Sequence, residues 1–137
     1  MKPTLQPGTT HIKRLIVDDS RLISFMGEDA RVYATPALIR NIEHACRDLI
    51  LQHADPGEDS VGMEVAMKHL APTLPGSNVE ISVRVTAVEG RKVSFEVSAK
   101  DDIEPITAGT HARFVVNVDK TKERIKAKAA KRAAMKK

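Results

Sequence analysis

Four aromatic side chains in 137 residues, Phe25, Tyr33, Phe95 and Phe114, and no tryptophan leave little on which the bases of a nucleic acid could stack. There is one cysteine, Cys46, so neither an internal disulfide nor a cysteine-built metal cluster can form. No stretch approaches the roughly 18 uninterrupted apolar residues of a membrane span. Met1 to Thr10 has no apolar core of signal-peptide length, and no internal repeat is visible. These absences set the expectation of a soluble cytoplasmic protein with no metal centre.

What is present is an ordinary globular balance, 42% hydrophobic and 29% charged, in a chain with room for one domain. A core this small gains from a shared interface, so pairing with a second copy is a natural expectation. The net charge of +4 hints at a nucleic-acid partner, but its distribution weakens the hint. Residues 119–137 hold nine of the 22 Lys and Arg against two acidic residues, which leaves the body near −3 and the tail near +7. The basic character belongs to an Ala/Lys-rich helical appendage, 119–137, on a body spanning 1–118. A solvated or interface-bound helix is favoured for it over a nucleic-acid binder. A milder role is to draw an anionic ligand toward the body.

Hydrophobic periodicity assigns the elements of the body. His11 to Asp18 reads as a strand that runs into a turn, and Arg21 to Arg31 fits neither period and reads as a mobile cover. Thr35-Pro36 opens a helix, with Thr35 as N-cap and Pro36 where its missing N–H is not needed. Leu38, Ile42, Ala45, Cys46 and Leu49 then share one face over about 17 residues, before the Asp55-Pro56-Gly57 break. Beyond it the period becomes two. Val61, Met63, Val65 and Met67 alternate with Glu64 and Lys68, and Val79 to Val85 is joined by Glu89-Gly90-Arg91 to Val93, Phe95 and Val97. A last strand runs from Thr110 to Val118. Strand, long helix and four strands make an α+β domain in which the helix covers a meander-like antiparallel sheet of about five strands.

Several polar residues stand where a purely structural explanation is awkward. Glu43 borders the apolar stripe, as a surface partner of Arg47 or as a reactive carboxylate. His69 falls in phase with Val61, Met63, Val65 and Met67, as a satisfied core histidine or a site residue. Gly62 suits a bulge, a close ligand or a plain strand position. Arg113 either holds a phosphate or faces solvent.

Tyr33-Ala34-Thr35, Glu43-His44-Ala45-Cys46, Pro56 to Gly62, His69, Pro75-Gly76, Val88 to Arg91 and Gly109 to Arg113 occur in one ungapped order. Together they resemble the fluoroacetyl-CoA thioesterase family of hotdog proteins, from Tyr33 to Val118. The resemblance implies a homodimer, with further pairing of dimers left open, and active sites at the subunit interface. It implies a catalytic set of Thr35, Glu43 and His69, with Gly62 and Arg113 in the site and no cofactor beyond the coenzyme A of an acyl-CoA substrate. Two departures stand out. The family's glycine after the threonine is Pro36 here, which has no N–H to offer an oxyanion, so Ala37 would have to serve. The family's pocket-closing aromatics ahead of the helix have no counterpart between Met26 and Arg31, and Phe25 and Tyr33 are the nearest candidates. The sequence therefore supports hydrolysis of a short acyl-CoA, against an alternative in which the domain binds acyl-CoA without turning it over.

Overall fold

A computed structural model describes residues 1–136. The elements are β1 (Thr10–Ile16), α1 (Thr35–Leu51), β2 (Glu58–His69), β3 (Asn78–Glu89), β4 (Lys92–Lys100), β5 (Pro105–Asn117) and α2 (Val118–Met135). One antiparallel sheet has the order β1-β3-β4-β5-β2. The meander expected from the sequence covers only β3, β4 and β5. Glu89-Gly90-Arg91 turns tightly with Gly90 at φ 63°, but residues 70–77, with Pro72 and Pro75, have no hairpin chemistry and cross the end of the sheet instead.

The helix lies on one face of this sheet because its stripe has nowhere else to hide. Leu38, Ile42, Ala45, Cys46 and Leu49 are buried as their spacing predicts, and Asn41 and Ile50 join them. They meet Ile81, Val83 and Val85 of β3 and Val93, Phe95 and Val97 of β4, all at most 2% exposed. Each such side chain contributes about 2 kcal/mol by leaving water. The other face of the sheet carries polar pairs such as Arg84 opposite Glu96, whose charged atoms lie 2.6 Å apart.

Two details position the site. The helix begins one residue away from expectation. Ala34 is the N-cap and supplies no side-chain bond, while Thr35 is already helical and its hydroxyl is used elsewhere. The ladder between β2 and β5 is interrupted by a bulge between Gly62 and Glu64. The strict alternation read from the sequence fails there: Val65, Met67 and His69 share the helix side with Gly62 and Ser60, whereas Val61 pairs with Phe114 on the outer side. β2 is also an edge strand, and Val61, Met63 and Val65 remain 44–49% exposed.

The cover segment is a strap pinned at its base. Ile23 N donates to Val32 O at 2.9 Å and Ala34 N to Arg21 O at 2.8 Å, with two single 3-10 turns between β1 and α1. Phe25 and Met26 project from it, 81% and 58% exposed. After β5 the chain passes directly into α2, whose Asn117 cap accepts from Lys120 N at 3.0 Å and which buries none of its own residues. No helix among the described residues is long and apolar enough to cross a membrane.

Gly109 lies where β5 presses on β2, and a Cβ there would stand 2.1 Å from Ala66 O. Gly109→Ala is expected to cost about 2–4 kcal/mol, read as a lower urea midpoint at unchanged slope.

Candidate active site

The start of α1 and the end of β2 meet in one polar contact. Thr35 Oγ1 lies 2.7 Å from His69 Nδ1, while His69 Nε2 is buried without a hydrogen-bond partner. Burial pushes the His69 pKa below the usual histidine range, so the ring is neutral at neutral pH. The two residues line an open cleft of about 350 Å³ together with Ile23, Phe25, Val32, Tyr33, Leu70, Ala71 and Pro72. Of the two aromatics expected near the pocket, Phe25 is free on the strap. Tyr33 is 1% exposed, and its hydroxyl donates to Asn41 Oδ1, so it forms wall rather than gate.

A second cluster forms where the middle of α1 faces the bulge. Glu43 Oε2 lies 3.5 Å from Arg113 Nη1, and its side chain keeps 36% exposure. The expected pairing of Glu43 with Arg47 does not occur, because Arg47 binds Asp59 through two nitrogens at 2.8 and 2.7 Å. Of the two readings the sequence left open for Arg113, the structure rules out the solvent-facing one. Arg113 is 5% exposed and donates to Ser60 Oγ at 2.7 Å, Ser60 O at 2.9 Å, Glu43, and His111 Nε2 at 3.2 Å. A Cβ on Gly62 would touch Glu43 Oε2 and His111 Cε1, both at 3.4 Å, and Arg113 Nη1 at 3.7 Å. These are ordinary contacts, and Gly62 has no positive φ, so neither packing nor backbone demands glycine. What the glycine leaves is open space beside a carboxylate.

Sequence reasoning missed His111 and Ser60 as members of this cluster. Nothing in Gly109-Thr110-His111-Ala112-Arg113 singles out the histidine, and it stands beside Gly62 because it shares one face of β5 with Arg113, the cross-strand partner of Gly62. The two clusters do not meet in one chain. Gly62 and His69 stand about 20 Å apart along β2, and Thr35 and Glu43 about 12 Å apart along α1. On the outer side, Arg91, Lys120, Thr121 and Arg124 line a cavity of about 120 Å³ between β5 and the foot of α2.

A long helix laid on five antiparallel strands in this order defines a hotdog-fold protein. A hot-dog-like protein from Thermanaerovibrio acidaminovorans shares the fold at TM-score 0.82 and 24% identity, over 93% of both chains. A Thermus thermophilus protein described as a thioesterase superfamily member superposes at TM-score 0.88 and 26% identity, over 98% of this chain and 99% of that one. The fluoroacetyl-CoA thioesterase FlK gives TM-score 0.83 and 28% identity, over 90% of this chain and 96% of its own. The fluoroacetyl-CoA thioesterase of Streptantibioticus cattleyicolor is 35% identical over 101 residues, 74% of this chain and 73% of that protein. The family described as fluoroacetyl-CoA-specific thioesterase matches residues 17–119. The chain belongs to that family and is a thioesterase.

His69 and His111 are both held neutral by burial, with pKa values below the ordinary 6.5. A lowered pKa in the folded state means that the unfolded chain binds more protons once the pH drops below 6.5. Thermal stability is therefore expected to hold above pH 6.5 and to decline from 6.5 toward 5, and His69→Gln with His111→Gln should flatten that decline in a pH series of melts.

Proposed function

We propose that this acyl-CoA thioesterase hydrolyses a short acyl-CoA in a homodimer whose active sites combine Glu43 of one subunit with Thr35 and His69 of the other. The observation that carries the reading is the separation of the two clusters along a free edge strand with an exposed apolar flank. A twelve-residue edge such as β2 invites another strand. Antiparallel pairing about a twofold axis at Val65 keeps inward-facing residues opposite inward-facing ones. With the bulge counted, the partner subunit's Ser60 then stands opposite His69 and the partner subunit's Gly62 opposite Met67. The neighbouring glutamate comes within about two residues, some 6–7 Å, of the Thr35–His69 pair.

In that arrangement Glu43 acts either as nucleophile, through a mixed anhydride that water then opens, or as general base toward water. In both routes the C–S bond breaks, the acyl group leaves as a carboxylic acid and the sulfur as coenzyme A thiol. Neutral His69, oriented by the Thr35 hydroxyl, directs the carbonyl or water and assists departure of the thiolate. Oxyanion donors come from the first turn of α1. Pro36 has no N–H and the first helical bond runs from Leu38 N to Ala34 O, so Ala37 offers its amide there. Gly62 gives the thioester room beside Glu43. The cationic cavity at the foot of α2 suits the phosphates of the nucleotide, and the basic helix above it raises the local concentration of an anionic substrate. Phe25 lines the Thr35–His69 cleft, but the strap from Met26 to Arg31 carries none of the pocket-closing aromatics that the resemblance implies, and that absence favours an ordinary short acyl group over a fluorinated one. The alternative of a domain that only binds acyl-CoA predicts tight binding without thiol release.

Free-thiol release from a panel of short acyl-CoAs tests the reading. Glu43→Gln and His69→Ala are each expected to lose at least about a hundredfold in kcat, Thr35→Ala somewhat less. Gly62→Ala should keep its melting temperature and lose turnover. Mixing subunits of Glu43→Gln with those of His69→Ala should restore about a quarter of wild-type activity, because half of the dimers carry one intact composite site. No recovery after verified subunit exchange would place the whole site in one chain. Deleting residues 120–137 should raise KM at low salt and leave kcat unchanged.

A further inference from the structure

Four groups in the Glu43 cluster form a continuous chain of hydrogen bonds that begins at the bulge. His111 is 2% exposed and its Nδ1 lies 2.7 Å from Glu64 O, on the residue that closes the bulge. A carbonyl oxygen only accepts, so Nδ1 carries the proton. The other ring nitrogen, Nε2, lies 3.2 Å from Arg113 Nη1. A guanidinium only donates, so Nε2 is the bare, accepting nitrogen. The Phe95 ring, stacked on the imidazole at 6.4 Å and 25°, fixes its plane. From Arg113 the chain continues to the Glu43 carboxylate at 3.5 Å, while Ser60 holds the remaining edge of the guanidinium at 2.7 and 2.9 Å.

We propose that His111 is a positioning residue for thioester hydrolysis: as the neutral Nδ1–H tautomer, anchored on the bulge carbonyl, it orients Arg113 and through it the carboxylate of Glu43. The inference rests on the assignment of Glu43 to the reaction. His111 touches no substrate and exchanges no proton with it. Its contribution is geometric, because a protonated Nε2 would turn an N–H toward the Arg113 N–H and push the guanidinium off the glutamate. Burial and the nearby Arg113 charge both hold the ring neutral. The bulge thereby becomes part of the catalytic apparatus, since it sets both the space at Gly62 and the carbonyl that selects the tautomer.

Long-range proton–nitrogen NMR on ¹⁵N-labelled wild-type protein at neutral pH reads which ring nitrogen is protonated, with the His111 signals assigned by their loss in His111→Gln. The expected result is a protonated Nδ1 and a bare Nε2, and a proton on Nε2 overturns the proposal. Glutamine can place its carbonyl oxygen where Nε2 stands, whereas asparagine can reach only the position of Nδ1. His111→Gln is therefore expected to keep kcat within about threefold of wild type, and folded, dimeric His111→Asn to lose about a hundredfold in kcat with KM nearly unchanged. Equal losses in the two variants, or full activity in His111→Asn, overturn the proposal. Glu43→Gln run alongside separates the two failures: if it is inactive while His111→Asn is active, only the positioning role falls, and if it is active the assignment of Glu43 itself falls.

Discussion

A guanidinium taken out of water costs several kcal/mol unless its donors are met, and much of the site can be understood as the means of meeting those of Arg113. Ser60 takes two of its N–H groups, His111 a third, and Glu43 balances the charge. Those partners come from β2, β5 and α1, so satisfying one buried cation ties the edge strand and the helix to the same point. The ion pair is asymmetric: Arg113 is 6% exposed at its side chain and Glu43 36%. That is a structural cation presenting a reachable anion. Removing either partner leaves a charge without its complement, and this couples the order of the site to the integrity of the β2–β5 seam.

The bulge at Met63 is the second constraint. A strand with strict alternation would put Val61 and His69 on one side and turn Ser60 and Gly62 away from the helix. One extra residue reverses the phase, so that β2 offers Ser60 and Gly62 to Arg113 at one end and His69 to Thr35 at the other. The same strand is the edge of the sheet, with valines and a methionine exposed along it. An open edge is a liability in an isolated chain. Here it lies between the Thr35–His69 contact and the Glu43–Arg113 cluster.

Family membership and local chemistry bear on different questions. The match over residues 17–119 and the shared fold establish a thioesterase. They do not carry over the preference for a fluorinated acyl group. In this chain Tyr33 is committed to Asn41 and only Phe25 is free on the strap. Pro36 leaves the first turn of α1 with one backbone N–H fewer.

Local order was legible in the sequence. The stripe of α1, the alternation of β3 and β4, and the Glu89-Gly90-Arg91 turn follow from side-chain period and turn chemistry, which are properties of neighbours along the chain. The resemblance pointed to Thr35, Glu43, Gly62, His69 and Arg113 because motif and order are themselves sequence. Three things were decided only by the tertiary structure: the placement of β2 beside β5, the phase change at the bulge, and the burial of Arg113 among Ser60, His111 and Glu43. Each depends on contacts between residues dozens of positions apart, such as Arg113 with Glu43 and with Ser60. Hydrophobic pattern records which face a residue prefers, but not which distant polar group will be there to meet it.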